Sequence, residues 1–229
     1  MKIATNLFNH LLETKGNQIL GVVIENGRLF REFVCALYEC VENGDDSILF
    51  SENNEEIDVS EKVELISQFV PFSLNSKSLI AALNKKVEKI AMRAENRDKL
   101  EKLIAVTSKY ISELLLEIPH EIDGIDISIG GLIKLAGLRF AEEGASLSNL
   151  LVDYMRLVRE FMGDKFFIFI NLRSYLTDKE MREMIKVCRL DNFRMMLIDS
   201  CSRGMLNGET RFLVDEDLCE LVSTDDDML

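Results

Sequence analysis

The chain has 229 residues, 47% of them apolar and only two proline, which excludes a disordered chain and describes a helix-rich globular protein with room for one core plus an extension. No apolar run approaches the ~20 residues of a bilayer-spanning helix. Met1-Lys2-Ile3-Ala4-Thr5-Asn6 leads into polar residues rather than a signal-peptide core, so no membrane association and a cytoplasmic location are expected. The net charge of −13 weighs against nucleic acid when taken over the whole chain, but it is unevenly placed.

In chain order, Gln18 to Ile24 reads as a strand, Asn26-Gly27 as a turn, and Arg28 to Glu42 as a helix with apolar residues at helical spacing. Asn43-Gly44-Asp45-Asp46 stops that helix. A short strand is expected over Ser47 to Phe50, a polar surface loop over Ser51 to Ile57, and another strand over Val63 to Val70, ended by Pro71. From Ser76 to Ile118 there is neither proline nor glycine, and an apolar stripe runs from Leu79 to Leu114. It weakens between Met92 and Lys99, where Asn96 suits a helix cap, so the stretch is one very long helix or two stacked ones. Shorter helices follow over Ser128 to Phe140 and Ser146 to Met162.

The chain then returns to strands. Phe166 to Asn171 and Arg194 to Asp199 are nearly unbroken apolar runs. Between them Thr177 and Glu180 open a helix with a capping box. Strand, capped helix, strand predicts a parallel βαβ unit covered on both faces. The expected organisation is an α/β domain with a mainly parallel sheet, formed by residues 1–75 and 163–229, with an all-helical domain inserted at 76–162.

The expected chemistry is sparse. Ligands of parallel α/β sheets bind at strand carboxyl ends, here Asn171 with Arg173 and Asp199 with Arg203. The chain nevertheless contains no GxxxxGK[ST], and the turn after the first strand, Glu25-Asn26-Gly27, is too short to cradle phosphate, so the α/β part is read as nucleotide-free. Glu117, Glu121, Asp123 and Asp126 fall within ten residues at a break between helices, a pattern that suits a hard divalent cation or an ordinary acidic loop. Asn84 to Lys102 carries seven bases against four acids, and Asp215 to Asp227 carries seven acids and no base. A solvated helix face and a solubilising end account for these two stretches without any ligand. Five scattered cysteines without a CxxC pair fit free thiols, and two histidines leave little for imidazole chemistry.

Several stretches taken together resemble a known family: Ile19 to Val34 with Leu37-Tyr38, Leu49-Phe50, Phe72 to Ser76, Gly131 to Arg139, and Phe169 to Asp178. In this order they are similar to the CRISPR-associated spacer-acquisition ring proteins of type II-A systems, the Csn-two family, over nearly the whole chain. The resemblance implies an ATPase-like head that has lost nucleotide binding, a helical leg inserted into it, and assembly as a ring-shaped homotetramer. It also implies binding of double-stranded DNA ends through the central hole, Ca²⁺ near the head–leg junction, and a non-enzymatic role beside the integrase and RNA-guided nuclease of the locus. By position, Glu117, Glu121, Asp123 and Asp126 fall on the family's calcium-associated segment, here thinner and containing Pro119 and His120. Arg28, Lys134 and Arg139 fall on basic positions expected to meet DNA. Two rival expectations are an ATPase or nuclease using Asp199 with a divalent ion, and a scaffold joined by its long helices.

Overall fold

A computed structural model describes residues 1–14, 19–142 and 144–224. In chain order the elements are β1 (Lys2–Thr5), β2 (Leu12–Glu13), β3 (Ile19–Ile24), α1 (Gly27–Asn43), β4 (Ile48–Glu52), β5 (Glu55–Glu56), α2 (Val59–Lys62) and β6 (Val63–Ile66). The helices α3 (Lys77–Ala91), α4 (Arg97–Leu115), α5 (Ile129–Leu135) and α6 (Leu147–Met162) follow. The chain closes with β7 (Phe166–Ile170), α7 (Asp178–Leu190), β8 (Arg194–Asp199), β9 (Glu209–Val214) and β10 (Glu220–Thr224). It divides into two compact units, one of Met1–Phe72 with Gly144–Leu229 and one of Ser73–Glu143. Among the described residues no helix is long and apolar enough to cross a membrane.

The first unit is α/β. Its main sheet runs β10-β9-β3-β8-β7-β6, parallel throughout except for β10, which is antiparallel to β9. The βαβ unit expected from the two apolar runs is present: β7 and β8 pair in parallel, and Thr177 and Glu180 close the capping box on α7. β3 begins at Ile19, and Gln18 lies outside the described residues. Alternation along the strands divides the sheet into two faces. Leu20, Val22, Ile24, Met196, Ile198, Phe212, Phe166 and Ile168 form one core with Phe33, Leu37 and Cys40 of α1. That core continues into a small second sheet, β2-β1-β4-β5, through Ile3, Leu12, Ile48 and Phe50. The polar stretch read as a loop, Ser51 to Ile57, holds the end of β4, the turn and β5 of a hairpin. Asn53 and Asn54 both take positive φ, 53° and 64°, as a two-residue turn of the right twist requires. β6 is shorter than expected because Phe69 leaves the ladder to pack against Tyr175, ring centroids 5.1 Å apart.

The second unit is helical. The long stripe is two helices, α3 and α4, separated by a 3₁₀ turn at Ala94–Asn96. Asn96 precedes α4 but does not cap it: its side-chain amide donates to the Ile90 carbonyl and closes off α3 instead. α5 packs on α3, and α4 has no buried residue. The helical unit is shorter than the 76–162 expected. α6 belongs to the α/β unit because Leu151, Met155 and Val158 are fully buried there, with Met155 Sδ 3.9 Å from Cys188 Sγ of α7. Helical periodicity alone does not say which body covers the apolar stripe.

Candidate functional site

The carboxyl ends of β7 and β8 are joined by Asn171. It takes the left-handed conformation, φ 56°, and its side-chain oxygen accepts from Ser200 N and Ser200 Oγ at 3.1 and 3.2 Å. After β8 the chain must cross β3 to reach β9, and residues 200–208 do so without a helix. Their backbone groups are met by buried side chains. Arg173 donates to Gly204 O at 2.6 Å. Arg211 donates to Arg203 O at 2.5 Å and to Gly204 O at 3.2 Å. Glu209 accepts from Leu206 N at 2.7 Å and from both Nε and Nη2 of Arg211, at 2.8 and 3.1 Å. Gly21 of β3 makes room for this, since a Cβ there would lie 2.1 Å from Glu209 Oε1.

Asp199, at the end of β8, is 4% exposed. Burial pushes its carboxyl up to about 6, against the pull of the Arg173, Arg203 and Arg211 charges and with a further push from Glu209. Chemically this is a cross-braced junction. Arg173 and Arg211 direct donors at carbonyls of the crossing segment, so the strand ends, where parallel sheets commonly bind ligands, hold a structural network here.

The turn into α1 is likewise internally satisfied. The Asn26 side chain accepts from Leu29 N at 3.0 Å and donates to Glu216 O at 3.1 Å. Arg28, in the first turn, is exposed and pairs with Glu32 at 2.8 Å, a hydrogen bond that makes its guanidinium more basic.

The other predicted residues lie on the helical unit. Lys134 stands in the last turn of α5 and Arg139 just beyond Gly137, whose φ is 63°; both are exposed. They share one segment, and Arg28 is on the other unit. Glu117, Glu121, Asp123 and Asp126 are all exposed on the connection between α4 and α5. Among the described residues no three His, Cys, Asp or Glu side chains are grouped to hold a metal ion. The oxygens suit calcium by type, but within one chain they do not converge as a shell requires.

Sequence reasoning missed Glu209, Arg211, Gly21 and Glu142. Glu142 gathers the base of the helical unit, accepting from Ser73 Oγ, Leu74 N and Asn75 Nδ2 at 2.7, 2.5 and 2.9 Å. The Ser73 hydrogen bond foremost holds its carboxyl below the usual range. For the strand pair a signal was available: Glu209 and Arg211 are two apart and therefore share a face.

A family model described as CRISPR-associated protein (Cas_Csn2) matches residues 41–218. The CRISPR-associated protein Csn2 of Enterococcus faecalis is 20% identical over 153 residues, 66% of this chain and 68% of that protein. A solved structure of the recombination mediator protein RecF with ATP, from the RecFOR pathway, covers 97% of this chain and 98% of its own at 11% identity. Its TM-score of 0.44 is too low to support an inference.

Proposed function

Because the chain belongs to the Csn2 family of CRISPR-associated proteins, we propose that it is a non-enzymatic, sequence-independent binder of double-stranded DNA ends in spacer acquisition, working as a ring-shaped homotetramer. The family match over residues 41–218 carries this reading. The proposal places the protein in the cytoplasm beside the integrase and RNA-guided nuclease of its locus. It makes the α/β unit an ATPase-like head without nucleotide and the helical unit its leg.

Two observations support assembly and DNA contact. α4 leaves Val106 and Tyr110 more than half exposed, at 69% and 61%, and Leu103 and Leu114 about half exposed, an apolar stripe that other copies of the chain would cover. Lys134 and Arg139 are exposed on one segment, and repetition by four subunits concentrates such charges despite the acidic whole. The ATPase or nuclease alternative is disfavoured by the surroundings of Asp199, which are three arginines and one further carboxylate, Glu209, whose oxygens already accept from Leu206 N and Arg211.

The test is a gel shift with linear and relaxed closed-circular duplexes, with mass in solution measured in parallel. Linear DNA should bind regardless of sequence and weaken steeply with salt, and closed circles should bind poorly. Lys134→Glu with Arg139→Glu should weaken binding without changing the tetramer mass. Equal affinity for circles and linear fragments would refute threading, and a strict monomer at micromolar concentration would refute the ring. Calcium enters the proposal through Glu117, Glu121, Asp123 and Asp126, completed by oxygens from outside this segment. Ca²⁺ should therefore raise the thermal midpoint, and Glu121→Ala with Asp123→Ala should remove most of that rise.

A further inference from the structure

One face of α7 stands apart in this acidic chain. By sequence, acids and bases balance between Ser73 and Glu143, so the net charge of −13 falls on the α/β unit, to which α7 belongs. On α7, Arg182, Lys186 and Arg189 nevertheless fall within an arc of roughly 60° at 100° per residue, with no acid inside it. None of the three forms an ion pair with a described residue, whereas Lys179, on the same helix, lies 3.9 Å from Glu183. The three bases line a cleft of about 490 Å³ closed on its other side by Leu206 of the segment crossing to β9, and no acid lines it among the described residues. Ile185 and Leu206 are buried in its floor, and Leu190 stands 74% exposed at its rim. Arg189 lies against the backbone of Gly208, its Nη2 in the space a Cβ there would need, so this base is held at the cleft wall.

Such a surface selects its occupant twice. Three bases in a row without carboxylate partners call for anionic groups. A phosphate backbone would leave Leu190 and the floor uncovered, so the occupant also carries apolar side chains. The spacing of the row sets its secondary structure. At 1.5 Å per residue the bases stand about 6 and 4.5 Å apart along the α7 axis. Residues on one face of a helix repeat at i, i+4 and i+7 with the same steps, whereas those on one face of a strand repeat every ~6.6 Å. We propose that the α7 cleft docks an acidic amphipathic helix of a partner protein, its carboxylates at i, i+4 and i+7 facing Arg182, Lys186 and Arg189 and its flanking apolar residues covering Ile185, Leu190 and Leu206. The acidity of the rest of the unit does not forbid this, because at physiological salt exposed charges farther than about 8 Å are largely screened and the three bases are nearest. The inference stands apart from the DNA-binding proposal and does not depend on it.

Fluorescence anisotropy on the full chain tests this, with a labelled synthetic helical peptide bearing Glu at i, i+4 and i+7 flanked by Leu. The peptide should bind saturably at micromolar concentration, and the same peptide with Gln in place of Glu should bind roughly tenfold more weakly or worse. Arg182→Glu with Lys186→Glu, both at exposed positions, should lower the affinity for the Glu peptide by roughly tenfold or more. Leu190→Ala, also at an exposed position, should lower it by roughly threefold or more, a readout that needs no change of charge on α7. Absence of saturable binding, equal affinity for the Glu and Gln peptides, or binding that survives the double substitution would overturn the proposal. So would displacement of the peptide by a linear duplex at lower concentration than by unlabelled peptide, which would assign the row to nucleic acid. A change of mass in solution on the double substitution would overturn it as well, assigning the cleft to a second copy of the chain.

Discussion

Replacing Asp199 by asparagine should stabilise the protein above pH 6. The carboxyl moves from an ordinary 3.8 to about 6 in the folded chain because burial outweighs three arginine charges. At 1.36 kcal/mol per unit, holding the ionised form in the fold costs about 3 kcal/mol. Between those two values the folded state keeps a proton that the unfolded state has released. Stability from this group is therefore full below about pH 4, falls as pH rises through about 6, and is flat above. The groups acting on Asp199 are Arg173 and Arg203 from the neighbouring turns and Glu209 and Arg211 from β9. Asparagine keeps the shape and carries no charge. At pH 7.5 the variant should gain up to about 3 kcal/mol, roughly 6–12 °C in thermal midpoint for a chain of this size. At pH 4 the two proteins should coincide. Urea unfolding followed by circular dichroism at pH 4, 5, 6 and 7.5 measures both curves, and their difference isolates this residue. A variant less stable than the parent at pH 7.5 would refute the reasoning, since the arginines would then make the carboxylate a net stabiliser.

Other outcomes follow from the same geometry. Gly21→Ala drives a methyl group into Glu209 and should cost about 1–3 kcal/mol in urea unfolding; an unchanged midpoint would mean that the Glu209–Arg211 pair shifts freely. Lys165→Ala leaves Glu64 without its 2.9 Å partner in a largely buried setting and should cost about 3 kcal/mol, with Tyr154 still donating to the carboxylate at 2.6 Å. Thiol titration at pH 8 should find Cys35, Cys201 and Cys219 reacting quickly and Cys40 and Cys188 only after unfolding, because burial raises both and carries Cys188 to about 12. Rapid reaction of all five in the native protein would contradict that burial.

The elements legible in the sequence are those whose signals are local. α7 begins at its capping box and α6 at Ser146, which accepts from Asn149 N. β7 and β8 are apolar on both faces and need no alternation to be recognised. β9 was missed because two of its inward positions are Glu209 and Arg211, so the pattern is polar where a core strand should be apolar. β1 and β2 have four and two residues, too few for a period to register. At the strand ends the residue types were legible but their use was not. Arg173 and Asn171 were conspicuous, yet whether a guanidinium meets a ligand or a carbonyl depends on where residues 200–208 run. The acidic segment shows the same limit: spacing supplies four carboxylates and leaves their convergence open.

The clasp of Glu142 on Ser73, Leu74 and Asn75 bears on how the protein reaches its native state. β6 must find β7 across about 100 residues, Val63 against Phe166, and the whole helical stretch lies between them. If the helices form first and the clasp holds their two ends together, the floppy chain left to close shrinks to roughly 30 residues, and the entropy opposing closure falls by about 1 kcal/mol. The inserted helices then act on the sheet as a short tether, and the order of assembly runs from the interruption to the strands that it separates.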